Sequence, residues 1–307
     1  MQREGIMQDI KRKTYLEINT KNIQKNVEKI ISICNDYEIY FGVVKANCYG
    51  HGMECLQAII QGGCNYLAVA TLNEALEIRK INKLIPILVL GIVDVEFLED
   101  CCLENITITV SSLEYAKTIA NIKDLKVHLK INTGMNRLGI KDKEEIKEVC
   151  NILGKVEGIY SHIYSSDNFE KYQDQMYRFE DVLKLKECEN IPIKHILASE
   201  SSVKYPKREN INACRLGIIM YGFSSEEIKL RSTFSLKSEV IQINKINKGE
   251  SIGYNGAYVA KENIEYIAVI PIGYADGIIR KNTGREVFIN NKSYKIVREY
   301  MYGYVIC

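Results

Sequence analysis

Between residues 39 and 215 the chain alternates short apolar runs with charged, helix-periodic stretches. No other feature restricts the fold as much. The apolar runs fall at about residues 39–44, 66–70, 86–90, 106–110, 125–131, 156–161, 194–198 and 212–215. Runs without strict alternation suit parallel strands whose two faces are both covered. The segments between them, such as Leu72-Asn73-Glu74-Ala75-Leu76-Glu77-Ile78-Arg79-Lys80, carry apolar residues at helical spacing with charges interposed. Eight such units predict an α/β protein built on a (β/α)8 barrel of the TIM type.

After about residue 228 the helical pattern stops. Strand-like segments follow at residues 233–243, 253–259, 266–272, 286–290 and 294–297, predicting a second, mostly β domain. The barrel domain is therefore expected over residues 21–228 and the β-domain over 229–307. Thr20 is the expected cap of a helix beginning near Lys21.

With 307 residues and 46 % hydrophobic composition, the chain can bury one large core or a large and a small one. Its formal net charge of +2 gives no electrostatic reason to expect nucleic acid or an anionic membrane as partner, so a small molecule is the expected ligand. The amino terminus lacks the apolar core of a signal peptide, and the stretch from Leu84 to Val93 is too short to span a bilayer. A cytoplasmic protein with reduced thiols is expected, because the ten cysteines form no C-x-x-C pair. No metal site is expected, since His51, His128, His162 and His195 are widely spaced.

Barrel enzymes keep their chemistry at the carboxyl ends of the strands. The first predicted strand ends in Val43-Val44-Lys45-Ala46-Asn47-Cys48-Tyr49-Gly50-His51-Gly52. A lysine held there by an apolar strand can serve as a desolvated amine that forms a Schiff base. This segment closely resembles the pyridoxal-phosphate lysine motif of the alanine racemases. The resemblance implies that Lys45 carries the cofactor and that Tyr49 bonds its phosphate.

The loops after the seventh and eighth strands of a barrel commonly form a phosphate site. Here they read Ala198-Ser199-Glu200-Ser201-Ser202 and Arg215-Leu216-Gly217-Ile218-Ile219. A glycine lets backbone N–H groups approach an anion closely, which brings in Gly217 and Ile218. The resemblance assigns Ser199 to the phosphate, Arg215 to the pyridine nitrogen, and His162 to a place between Arg215 and a second catalytic residue. That residue is Tyr254, in Gly253-Tyr254-Asn255-Gly256, just before the matching Gly273-Tyr274-Ala275-Asp276-Gly277. Racemisation needs a proton site on each face of a planar intermediate, and Lys45 and Tyr254 are the expected pair.

In Leu129-Lys130-Ile131-Asn132-Thr133-Gly134-Met135-Asn136-Arg137, the resemblance implies that Arg137 reaches the substrate carboxylate and that Lys130 matches a lysine often found carbamylated. Asn132 stands where the family usually has aspartate. The resemblance further implies that the strand-like Tyr15-Leu16-Glu17-Ile18-Asn19, within residues 13–20, joins the β-domain, and that the protein is a homodimer with Tyr254 reaching the opposite subunit's site. The match runs from about Tyr15 to Val297 and then stops, so an incomplete β-domain is expected; a one-base shift of reading frame at Arg298 would restore the family's continuation with permitted codons. Alanine racemisation is the expected activity, with serine or broad-specificity amino-acid racemisation, cofactor binding without turnover, and a basic amino-acid decarboxylase as alternatives.

Overall fold

A computed structural model describes residues 12–256, 258–297 and 305–306. They divide into two compact units, Asn19–Thr233 and the residues through Ile18 together with those from Phe234. Strand β1 (Tyr15–Ile18) belongs to the second unit; helix α1 (Thr20–Ile33) opens the first.

Eight strands form the barrel: β2 (Ile39–Val43), β3 (Tyr66–Val69), β4 (Ile87–Val89), β5 (Ile106–Val110), β6 (Val127–Lys130), β7 (Gly158–Tyr160), β8 (Ile193–Ala198) and β9 (Ala213–Leu216). Each runs parallel to the next, and β9 returns to β2 with Arg215 opposite Phe41, so no edge is left open. All eight predicted runs are barrel strands. Between them lie α2 (Lys45–Tyr49), α3 (Leu56–Gln61), α4 (Leu72–Ile81), α5 (Leu98–Leu103), α6 (Leu113–Ile119), α7 (Lys143–Leu153), α8 (Phe169–Leu183), α9 (Lys186–Glu189) and α10 (Glu200–Lys204).

The helix starts follow local chemistry. Asn19, not Thr20, caps α1: its extended backbone lets the side chain accept the Asn22 N–H at 3.0 Å, and Thr20 becomes the first helical residue. Thr71 and Glu74 form a capping box on α4. Helix α8 buries Tyr172, Gln175, Met176, Phe179, Val182 and Leu183, a stripe at helical spacing that contains one amide.

One part of the barrel core is apolar, built from Phe41, Val43, Tyr66, Ala68, Leu88 and Ala213. His128, Lys130, His195 and Arg215 are also buried. Gly158 makes room for His128: a Cβ there would stand 2.4–2.5 Å from three atoms of the imidazole ring.

In the second unit, β10 (Phe234–Lys237) pairs antiparallel with β1, placing the amino-terminal strand in this unit. The single strand expected at 233–243 is broken. Its last two residues open β11 (Gln242–Asn247), which pairs with a different strand, and residues 238–241 lie in no strand. The strand expected at 253–259 is instead a small hairpin of β12 (Ser251–Ile252) and β13 (Tyr258–Val259), because Gly253, Asn255 and Gly256 take φ of 79°, 58° and 63° and turn the chain. Strand β14 (Ile264–Ile270) pairs with β11 and ends at Pro271, which has no N–H to continue a ladder. A further hairpin joins β15 (Glu286–Ile289) and β16 (Lys292–Lys295), and β17 (Val305–Ile306) adds to β14. Residues 298–304, on which the expectation of an altered carboxyl terminus falls, lie outside the described residues.

The Gly273–Gly277 segment anchors this unit's amino-terminal stretch. Asp276 pairs with Arg12 and accepts the Gly273 N–H at 2.9 Å, while the Thr14 hydroxyl donates to the Pro271 carbonyl at 2.7 Å. The Arg12 guanidinium holds the Asp276 carboxyl below the usual carboxylate range.

Candidate active site

Strand β2 ends at Val43, and the Val44 N–H donates to the Ala68 carbonyl of β3 at 2.9 Å. Lys45 follows, half-buried, with its Nζ 6.0 Å from the centre of the Tyr49 ring. The next four residues, Ala46, Asn47, Cys48 and Tyr49, take φ of 52°, 53°, 53° and 54°, so the chain makes a left-handed turn without glycine before Gly50 at φ 81°. At about 1–2 kcal/mol per L-residue, that turn stores roughly 4–8 kcal/mol that its surroundings must offset. The Ala46 N–H donates to Glu74 Oε1 at 2.7 Å, and Glu74 Oε2 accepts from Ala70 and Thr71 at 2.7 and 3.3 Å.

Three chain segments converge on one spot. Were Gly217 to carry a Cβ, the atom would meet the Tyr49 hydroxyl at 2.9 Å and Ser199 Oγ at 3.3 Å. Ser199 Oγ accepts the Gly217 N–H at 3.0 Å, and Ser199 holds φ 42°, ψ −108°, an uncommon conformation of the kind found at sites under functional constraint. Burial raises the Tyr49 hydroxyl above its usual range, so it stays a protonated donor at neutral pH. Two hydroxyls beside a position without a side chain form a cradle that suits a phosphate group. Ile218 opens the short 3₁₀ turn Ile218–Tyr221 at its rim, 44 % exposed.

Arg215, at the end of β9, is 3 % exposed. Its Nη1 donates to His195 Nδ1 at 2.6 Å; its Nη2 donates to the Ser161 and Ile196 carbonyls at 2.8 and 3.1 Å and to His162 Nδ1 at 3.1 Å. These contacts leave the Nε–H available. Burial lowers the guanidinium to about 10, so it remains a cation at neutral pH. Arginine only donates, so the bonded nitrogens of His195 and His162 must be acceptors. Burial, then the charges of Arg215, Lys130, Arg137 and Lys45, push His162 down to about 2. The Arg215 guanidinium and its basic neighbours thus act on one neutral imidazole, an electrostatic field suited to an anionic ligand.

Lys130 is 8 % exposed, with its Nζ 4.2 Å from the centre of the Tyr160 ring. Burial, reinforced by Arg215 and Arg137, lowers it well below the ordinary lysine range despite that ring. Arg137 is exposed, in a loop that folds back so that the Ile140 N–H bonds the Lys130 carbonyl at 2.9 Å. Asn132 shapes the loop, its Oδ1 accepting from Gly134 and Asn136 at 3.0 and 3.1 Å. A carboxylate in its place could accept the same two bonds. Tyr254 lies in the Tyr254–Gly256 turn of the second unit; its side chain is outside what the structure describes.

Four supporting residues went unassigned from sequence. His128 Nδ1 lies 3.0 Å from His195 Nε2, deep in the barrel. The fully buried Gln175 donates to the Thr133 hydroxyl and the His162 carbonyl at 3.0 and 2.9 Å and accepts the Tyr164 N–H at 3.0 Å, tying together the loops after β6 and β7. The other two are His195, which accepts from Arg215, and Glu74, which accepts the Ala46 N–H. The two-residue period of a strand, which puts His128 and Lys130 on one face of β6, was the one signal available for His128. Among the described residues no cluster of His, Cys, Asp or Glu could hold a metal, and no helix is long and apolar enough to cross a membrane.

A closed β/α barrel with a lysine at the end of its first strand, a phosphate-shaped cradle beyond its seventh and eighth, and a mostly β companion unit defines a class of barrel enzymes. The family models for the alanine racemase N-terminal domain and C-terminal domain match residues 18–225 and 233–299. The chain belongs to the alanine racemase family. It is 36 % identical over 310 residues to the alanine racemase of Halalkalibacterium halodurans, covering 93 % of this chain and 79 % of that one. It is 35 % identical over 303 residues to alanine racemase 1 of Bacillus subtilis, covering 93 % and 77 %. The solved alanine racemase from Bacillus anthracis with bound L-Ala-P superposes with a TM-score of 0.87 at 31 % identity, covering 96 % and 81 % of the two chains. The enzyme from E. faecalis gives 0.89 at 32 %, covering 96 % and 84 %.

Proposed function

We propose that this protein interconverts L- and D-alanine with pyridoxal phosphate, acts as a cytoplasmic homodimer, and supplies D-alanine for peptidoglycan. The observation that carries this reading is the cradle of Tyr49, Ser199 and Gly217 at the barrel mouth that also holds Lys45. Tyr49, Ser199 and the backbone at Gly217 and Ile218 would hold the phosphate, and Lys45 would carry the cofactor covalently. Bound there, pyridoxal phosphate supplies an electron-withdrawing ring that acidifies the α-C–H bond of the amino acid.

Arg215 would donate to the ring nitrogen while keeping its own proton, which limits the ring as an electron sink and disfavours side chemistry. Arg137 would take the substrate carboxylate with its planar fork of donors. Lys130, shifted toward the neutral amine, is the form that reacts with carbon dioxide, and its carbamate would give Arg137 an anionic partner. Lys45 Nζ would serve the α-proton on one face and Tyr254 of a second copy on the other. His162 accepts from Arg215 at Nδ1, leaving its Nε2–H free to favour the anion of that tyrosine.

The test is incubation with pyridoxal phosphate and L-alanine in deuterated water. Deuterium appearing at the α-carbon of D-alanine supports the reading, and cofactor uptake without exchange refutes turnover. Lys45→Ala should abolish covalent attachment.

A further inference from the structure

Both peptide groups flanking Lys45 are pinned. On the amino side the Val44 carbonyl accepts the Cys48 N–H at 3.0 Å, and one peptide earlier the Val44 N–H is bonded to the Ala68 carbonyl of β3. On the carboxyl side the Ala46 N–H is bonded to Glu74 Oε1 at 2.7 Å. The left-handed turn has internal bonds further along, from the Gly50 N–H to the Ala46 and Asn47 carbonyls and from the Gly52 N–H to the Asn47 carbonyl. None of these bonds, and not the Cys48–Val44 bond that closes the turn, takes the Ala46 N–H, whose recorded acceptor is Glu74.

The other carboxylate oxygen holds Ala70 and Thr71, at the end of β3 and the start of α4. One side chain therefore ties the turn after β2 to the rigid entry of α4 through charge-assisted bonds, which are stronger than neutral ones. The amine of Lys45 lies at the end of a flexible four-carbon stem, so only its backbone can fix where that stem starts. A turn free to relax toward right-handed geometry would redirect the Cα–Cβ bond and carry the amine away from the cradle.

We propose that Glu74 is a positioning residue for Lys45, clamping the Ala46 amide and so holding the strained turn that presents the amine to the cradle. This inference rests on the proposed cofactor reading. The test compares the full chain with Glu74→Ala, Glu74→Gln and Thr71→Ala. Thr71→Ala removes the other half of the capping box, whose Oγ1 accepts the Glu74 N–H at 3.4 Å, and leaves the Ala46 contact in place.

Covalent attachment of pyridoxal phosphate is followed by borohydride reduction and mass spectrometry, and protection of the Ala46 amide by hydrogen exchange. The expected result for Glu74→Ala is attachment slowed by about tenfold or more, kcat lowered similarly with KM within about threefold, and faster exchange at Ala46. Glu74→Gln, which keeps one acceptor, should fall between, and it carries the test if the alanine variant does not fold. Thr71→Ala should stay within about twofold on all three readouts. The proposal is overturned if both Glu74 variants attach cofactor at the unsubstituted rate, or if Thr71→Ala slows attachment as much as Glu74→Ala. Failure of the unsubstituted chain to attach cofactor, or equal attachment in Lys45→Ala, would refute the cofactor reading itself.

Discussion

The guanidinium of Arg215 and the imidazole of His195 meet at 2.6 Å inside the barrel, and His195 meets His128 at 3.0 Å on its other side. Because arginine only donates, the direction of every bond in this chain is fixed. His195 accepts at Nδ1 and donates from Nε2; His128 accepts at Nδ1 and keeps an Nε2–H that has no partner among the described residues. Nitrogen NMR of the labelled protein should therefore show His128, His162 and His195 all as the Nε2–H tautomer at neutral pH. A protonated Nδ1 on His195 would sink this account of the Arg215 site.

The same burial sets a pH dependence of stability. His128 is held down to about 3 and His162 to about 2 by burial and nearby cations, and His195 lies well below the usual histidine range. All three bind protons more readily when unfolded, so their contribution is complete above pH ~6.5 and is lost as pH falls below it. The unfolding free energy should fall with a slope rising toward three protons, about 4 kcal/mol per pH unit, as the pH drops from 6 to 5. Denaturant titrations across that range would show it, and a flat profile would contradict the buried neutral histidines.

Gly158 has no room for a side chain, since an added Cβ would overlap the His128 ring at 2.4–2.5 Å and the ring is enclosed. Gly158→Ala should destabilise the protein by about 1–3 kcal/mol, read as a shifted denaturation midpoint. An unshifted midpoint would mean that the barrel interior can repack.

Gly217 is a different case. Its Cβ would meet the far ends of the Tyr49 and Ser199 side chains, which can move. Gly217→Ala should leave the denaturation midpoint nearly unchanged while weakening pyridoxal-phosphate affinity by about tenfold, measured by titration of the cofactor's visible absorbance. Unchanged affinity would remove this spot from the phosphate site.

Much of this arrangement was legible in the sequence. The eight apolar runs located every barrel strand, because burial on both faces writes a local pattern that a parallel strand must show. The β-domain was less legible. The run at 233–243 looked continuous but divides between partners β1 and β14, and the segment around Tyr254 turns on left-handed residues where a strand was expected. Apolar content marks a segment as extended without saying where it changes sheets.

By itself the sequence determined the barrel and the placing of Lys45 at the end of its first strand, since both follow from the order of residues along short stretches. Tertiary structure alone decided how the expected residues meet and which further ones support them. Tyr49, Ser199 and Gly217 form a cradle, Gln175 ties two loops together, and Glu74 holds the amide after Lys45. These partners lie far apart in the chain. Closure of the barrel brings them within hydrogen-bond reach, and no local pattern of hydrophobicity or propensity encodes which donor then meets which acceptor.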